Sequence, residues 1–215
     1  MPRDGFQPAE FTILTVCTGN ICRSPLAAMY VARALSDVPQ IRVVSAGTRA
    51  QDGAGMPDQG LDLARSYGLV GEAHAARYLT ERDIESAELV LAMSREHRSA
   101  VVSMVPRAVK TTFALREFAA LADDLRDKDD RVIEAIDPDD VRGRLKTMVA
   151  LVASRRGQTA TPVRGEDYDV VDPYRRSDEV YLESGRQLVP AAEKVAATLR
   201  RAVSLPHVAS AGGAG

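Results

Sequence analysis

Short apolar runs rich in β-branched residues recur at positions 11–16, 41–44, 87–93 and 111–115, and each has the length and composition of a buried strand. Between them the apolar positions change to helical spacing. Leu26, Met29, Tyr30 and Ala34 fall at i, i+3, i+4 and i+8, and Leu61, Ala64 and Tyr67 mark a second helix that stops before Gly68. Strand and helix alternate, so the pattern predicts an α/β domain whose parallel sheet is covered on both faces, because parallel neighbours need crossover connections. Ligands of such sheets bind beyond the carboxyl ends of the strands.

After the fourth strand the pattern is less regular. A mixed charge run over 123–131 is expected to be solvated surface. A helix is predicted to start at Asp137 with Pro138 in its first position, and its apolar spacing runs through Val141, Leu145, Met148, Val149 and Val152. Gly, Thr and Pro over 157–165 predict a loop, and a last helix over 177–204 carries Tyr181, Leu188, Ala192, Val195 and Leu199 on one face. The small, glycine-rich tail over 209–215 is expected to be disordered.

At 215 residues the chain has room for one well-buried core. Hydrophobic residues make up 45% and charged residues 27%, with a net charge of -2, so nothing in the balance calls for a nucleic-acid partner. No apolar run nears the roughly 18 residues of a membrane span, and the first ten positions lack the pattern of a signal peptide, so the expected location is the cytoplasm. The two cysteines, Cys17 and Cys22, are too close in sequence to staple distant parts of a fold and read as chemistry. His74, His97 and His207 lack metal-ligand spacing, and there is neither a Walker loop nor a Gly-x-Gly-x-x-Gly fingerprint, so no metal and no cofactor is expected. His97, within Arg95-Glu96-His97-Arg98, is expected to be an exposed helix residue.

The informative segment is Val16-Cys17-Thr18-Gly19-Asn20-Ile21-Cys22-Arg23-Ser24-Pro25, which joins the first strand to the first helix. Ser24 suits an N-cap and Pro25 a first helical position, so the loop ends where free backbone N–H groups and the helix dipole favour an anion. Gly19 would permit the tight curvature of a nest of N–H groups. A cysteine opening such a loop would have its thiolate stabilised by those groups and by Arg23, which makes it a nucleophile. Arg23, six positions on, could grip two oxygens of a phosphate side by side, and the Ser24 hydroxyl could donate to the departing sulfur. The spacing of Cys17 and Arg23 alone is weak; the joint occurrence of glycine, asparagine and Arg-Ser-Pro in a strand-to-helix setting is not.

This segment resembles the phosphate-binding loop of the low-molecular-weight protein tyrosine phosphatases, with the pattern Val-Cys-x-Gly-Asn-x-Cys-Arg-Ser-Pro. Val44-Ser45-Ala46-Gly47-Thr48 is similar to that family's second-strand end, and His74-Ala75-Ala76-Arg77 to its His-x-x-Arg segment. The resemblance covers about 11–118 and 166–203. It implies a single-domain three-layer sandwich with a four-stranded parallel sheet in flavodoxin-like order, over 8–204, with an inserted helical segment at about 119–165. It further implies a phosphate site from Thr18, Gly19, Asn20, Ile21, Cys22, Arg23 and Ser24, supported by a hydrogen-bond network of Asn20, Ser24, Ser45 and His74. The family takes its general acid from an Asp-Pro-Tyr segment near the C-terminal end. Of two Asp-Pro pairs here, Asp137-Pro138 reads as a helix cap and Asp172-Pro173-Tyr174 matches, which assigns the acid to Asp172.

The implied activity is metal-independent hydrolysis of phosphotyrosine through a cysteinyl-phosphate, with Cys17, Arg23 and Asp172 as catalytic residues and with Tyr174 and Ile21 at the substrate rim. Cys22 could form a reversible disulfide with Cys17. Arg175 and Arg176, where a second tyrosine is frequent, make the rim basic and suit acidic substrates. Ile21 stands where the related protein-arginine phosphatases carry a small polar residue, which favours an aromatic leaving group. The implied partners are tyrosine-phosphorylated proteins, including an exopolysaccharide tyrosine kinase, and the expected state is a monomer or weak homodimer. Two alternatives stay open: an arsenate reductase, which would need further cysteines downstream, and a non-catalytic phosphotyrosine-binding module.

Overall fold

The computed structural model describes residues 10–158 and 168–208. Four strands, β1 (Phe11–Cys17), β2 (Ile41–Gly47), β3 (Leu89–Ala92) and β4 (Thr112–Ala114), form one sheet in the order β2-β1-β3-β4, and every pairing is parallel. The eight α-helices among the described residues are α1 (Arg23–Ala34), α2 (Asp58–Ser66), α3 (Glu81–Glu85), α4 (Arg95–Met104), α5 (Leu115–Ala122), α6 (Asp127–Glu134), α7 (Val141–Ser154) and α8 (Asp178–Ser204). This is the parallel three-layer arrangement that the alternation predicts.

The alternation along β1 explains the layers. Phe11 and Ile13 point into a large core shared with α1, α5, α7 and α8, whereas Leu14 and Val16 point into a smaller core closed by Ile84 of α3 and Val101 of α4. All four residues are fully buried, as expected of a central strand with both faces covered. The chain leaves β1 for β2 on one side and returns to β3 on the other. The carboxyl end of β1 therefore lies at a switch point, where the adjoining loops diverge and leave a crevice. Cys17 is the residue at that end.

Two expectations change in the C-terminal half. The charge run over 123–131 is not simply solvated: α6 begins within it, Asp129 is buried and pairs with Arg155, and Asp130 pairs with Arg201 of α8. Asp137-Pro138 does not open a helix. Asp137 closes a turn by accepting the Asp139 N–H at 2.9 Å, and Asp140 is the cap of α7, accepting the Gly143 N–H at 2.8 Å. The last helix starts at Asp178 behind Ser177, within one residue of expectation. Most of the 157–165 loop and the 209–215 tail lie outside the described residues.

Arg144 ties α7 to the rest. Its side chain is fully buried with no carboxylate partner among the described residues, and instead donates to the carbonyls of Ile136, Ala202 and Leu205, so it closes the carboxyl end of α8. We propose that 119–165 belongs to the same cooperative unit as the sheet. Arg144→Ala would strand those buried and partly buried carbonyls and is expected to cost about 3 kcal/mol. Urea unfolding should then show one transition with a lowered midpoint; a separate early transition with the main one unmoved would make α6 and α7 an appendage.

Candidate active site

The β1–α1 loop, residues 17–23, turns through Asn20, which has a left-handed φ of 53°. The sequence reading placed this freedom at Gly19, but Gly19 is not left-handed, and a Cβ there would meet only the Ile21 side chain at 3.4 Å. Asparagine is among the few residues besides glycine that tolerate this conformation, and it offers hydrogen bonds on three sides. The glycine that matters is Gly47, at the end of β2. A Cβ there would lie 2.5 Å from the Thr18 carbonyl and 2.9 Å from the Asn20 nitrogen, so the loop packs directly on a bare backbone.

Asn20 is fully buried and all its polar atoms are used. Its Nδ2 donates to Ser24 Oγ and Ser45 Oγ, both at 2.9 Å, its Oδ1 accepts the Arg77 N–H at 3.0 Å, and its carbonyl accepts from His74 Nε2 at 2.6 Å. The four residues of the expected network are thus brought together. Ser24 is not the helix cap. α1 starts at Arg23 behind Cys22, and the Ser24 hydroxyl is instead 3.0 Å from Cys17 Sγ. Ser24 Oγ accepts from Asn20, and its own hydrogen can go to the sulfur at 3.0 Å or to the Ala46 carbonyl at 3.5 Å, of which the sulfur is the shorter contact. The Asn20 backbone N–H points at the same sulfur from 3.3 Å. Two donors therefore converge on Cys17 Sγ, an arrangement that receives negative charge.

Arg23 is 5% exposed and spans the site. Its Nη1 donates to the Val170 carbonyl at 3.1 Å, its Nη2 meets Asp172 Oδ2 at 2.7 Å, and its buried Nε has no partner among the described residues. A buried guanidinium N–H without an acceptor is a donor suited to an oxyanion over the loop. Asp172 is about half exposed, and its segment is docked on the body: Val170 N–H donates to the Met93 carbonyl, Val171 N–H to Gln187 Oε1, and Asp169 accepts the Arg95 N–H that opens α4. Sequence reasoning missed Gln187 and Asp169, which bear on Asp172 only through the backbone.

Cys17, Thr18, Ile21, Arg23, Asp172 and Tyr174 line one pocket of about 310 Å³, together with Arg49 and Gln51. A larger groove of about 810 Å³ opens at the amino ends of β3 and β4, and none of the predicted site residues lines it. Both thiols are free. Burial pushes the Cys22 thiol up to about 11 despite its contact with Tyr181 Oη at 3.8 Å, so it stays protonated near neutral pH. His97 corrects the sequence reading: it is not exposed but 4% accessible, with Nε2 2.8 Å from Thr18 Oγ1. Nothing in the spacing of Arg95-Glu96-His97-Arg98 places it under the loop; only the closeness of β1 and β3 does.

Comparison with known proteins agrees with this geometry. The family model described as low molecular weight phosphotyrosine protein phosphatase matches residues 12–130. A protein-arginine-phosphatase of Geobacillus stearothermophilus is 32% identical over 146 residues, 67% of this chain and 95% of that protein. The low molecular weight protein-tyrosine-phosphatase Wzb of Escherichia coli K12 is 36% identical over 94 residues, which is 44% of this chain and 62% of Wzb. Among solved structures, the YwlE arginine phosphatase of Geobacillus stearothermophilus superposes with a TM-score of 0.62 and 25% identity, covering 88% of this chain and 93% of that one.

Gly47→Ala is expected to push the loop off β2 and to abolish binding of inorganic phosphate or vanadate while the protein stays folded, as read by calorimetry and circular dichroism. Unchanged anion binding would show that the loop does not depend on this contact. Near neutral pH, iodoacetamide should leave Cys22 of the folded protein unmodified, as read by peptide mass spectrometry.

Proposed function

The chain belongs to the low molecular weight phosphotyrosine protein phosphatase family, and from that premise we propose that it hydrolyses phosphotyrosine in proteins by a two-step, metal-independent mechanism. The observation that carries the reading is the convergence of Cys17, Arg23 and Asp172 on one pocket, with the Arg23 guanidinium 2.7 Å from the Asp172 carboxyl. Cys17 attacks phosphorus in line, and the phosphorus–oxygen bond to the leaving group breaks as Asp172 delivers a proton to that oxygen. Asp172 then takes a proton from water, which displaces sulfur from phosphorus and releases inorganic phosphate. Arg23 and the loop N–H groups hold the equatorial oxygens through both steps, and Ser24 donates to the leaving sulfur.

The Arg23–Asp172 contact fits this sequence of events. A bound phosphoryl group competes for Nη2, so entry of substrate loosens the carboxyl from its salt bridge and frees it to reach the leaving oxygen. Cys22 lines the same pocket, and its condensation with an oxidised Cys17, forming a disulfide with loss of water, first requires loss of the Cys22 proton, which burial opposes.

Tyrosine specificity rests on the walls. Ile21 and the half-exposed ring of Tyr174 flank the opening and give an aryl leaving group apolar contact. Arg49 on one side and Arg175, stacked 5.1 Å from the Tyr174 ring, on the other favour acidic residues around the phosphotyrosine. A tyrosine kinase of exopolysaccharide assembly is one such substrate on this reading. Phosphoarginine is the second reading, favoured by the near full-length match to an arginine phosphatase.

Phosphate release from aryl phosphate, phosphotyrosyl peptide and phosphoarginine tests all of this. Cys17→Ser is expected to lose activity roughly 10³-fold or more, and Asp172→Asn roughly 10²-fold or more. Phosphotyrosyl peptides with acidic flanks should be preferred, and salt should erode the preference. The kcat/KM profile against pH should be bell-shaped, because one group must be ionised and another protonated. A parent protein that prefers phosphoarginine would overturn the tyrosine assignment, and an Ile21→Thr protein would then show no further shift.

A further inference from the structure

The His97 contacts carry more than a packing role. Nδ1 lies 2.7 Å from Ser94 Oγ, Nε2 lies 2.8 Å from Thr18 Oγ1, and the His97 backbone N–H also reaches Ser94 Oγ at 3.3 Å. The ring is enclosed at the amino end of α4, beside the phosphate loop. Burial, and then the charge of Arg23, hold its pKa down to about 4 against the opposing pull of Asp172 and Asp169, so it is neutral near neutral pH.

A neutral imidazole has one N–H and one lone pair, which leaves two assignments. If Nδ1 carried the proton, Ser94 Oγ would accept twice, and its own hydrogen, in a residue only 8% exposed, would have no acceptor among the described residues. If Nε2 carries it, Ser94 donates to Nδ1 and accepts the backbone N–H, and the ring donates to Thr18 Oγ1. The Ser94 hydroxyl and both ring nitrogens are then used. The second assignment makes the Thr18 oxygen an acceptor from His97 and leaves the Thr18 hydrogen unspent, in a side chain that lines the pocket over Cys17.

We propose that the Thr18 hydroxyl is a side-chain donor to the oxyanion bound in the loop, and that His97, clamped by Ser94, is the positioning residue that turns its hydrogen inward. The loop would then supply a directed O–H beside its backbone N–H groups and Arg23. The inference deepens the phosphatase reading, and it rests on that reading for the identity of the anion as a phosphoryl group.

Calorimetric binding of orthovanadate to the reduced protein tests it without turnover. Thr18→Val should weaken binding roughly tenfold or more, the loss of a hydrogen bond to a charged acceptor, and Thr18→Ser should restore it. His97→Leu should weaken binding alone but add nothing in the Thr18→Val background, because His97 acts through that hydroxyl. Should His97→Leu fail to fold, Ser94→Ala takes its place in the cycle. Parent-like binding by Thr18→Val, or full additivity of the two changes, would overturn the proposal while leaving the phosphatase reading intact. A folded parent that binds no vanadate would overturn both.

Discussion

The site depends on one buried amide. A loop that aims its N–H groups inward at an anion cannot pair them with its own carbonyls, so it has to be held open from outside. Asn20 does this from a left-handed backbone, with Nδ2 fixed by two serines, Oδ1 by the Arg77 N–H and its carbonyl by His74. These partners come from α1, from β2 and from the segment after α2, so three parts of the fold meet at one side chain. In a buried position each unmade bond would cost about 1–3 kcal/mol, which is why the network is complete.

The sheet then sets what the loop faces. Parallel order places the carboxyl ends of β1 and β3 side by side, and the start of α4 and the Asp172 segment follow from β3. The Val170 N–H donates to the Met93 carbonyl, and the guanidinium of Arg23 donates to the carbonyl of Val170 itself. The proposed acid is thus carried by the same frame as the proposed nucleophile, although 155 residues separate them in sequence. α7 and α8 brace this frame from below through Arg144 and the apolar face that includes Leu188, Val195 and Leu199.

Much of this was legible in the sequence because the signals were local. Four apolar runs gave the strands, and Cys17 through Pro25 is contiguous, so the loop could be read from its own pattern. What could not be read was contact between distant segments. His97 looked solvent-facing because its neighbours Arg95, Glu96 and Arg98 are charged, yet the helix turns it under Thr18. Gly47 looked like any strand-end residue until the Thr18 carbonyl was found against it. Ser24 looked like a cap because Ser-Pro commonly opens helices, but its hydroxyl is taken by Asn20 and Cys17. The same competition applies at Asp137, where a turn used the carboxylate first.

The central claim is that a covalent cysteinyl-phosphate forms at Cys17, and rapid quench of the reaction with an aryl phosphate, followed by peptide mass spectrometry, tests it most directly. The account predicts one phosphoryl group on the peptide carrying Cys17, appearing with a stoichiometric burst of the aryl alcohol. Turnover at undiminished rate, with no phosphorylated cysteine at any quench time and no burst, would contradict it.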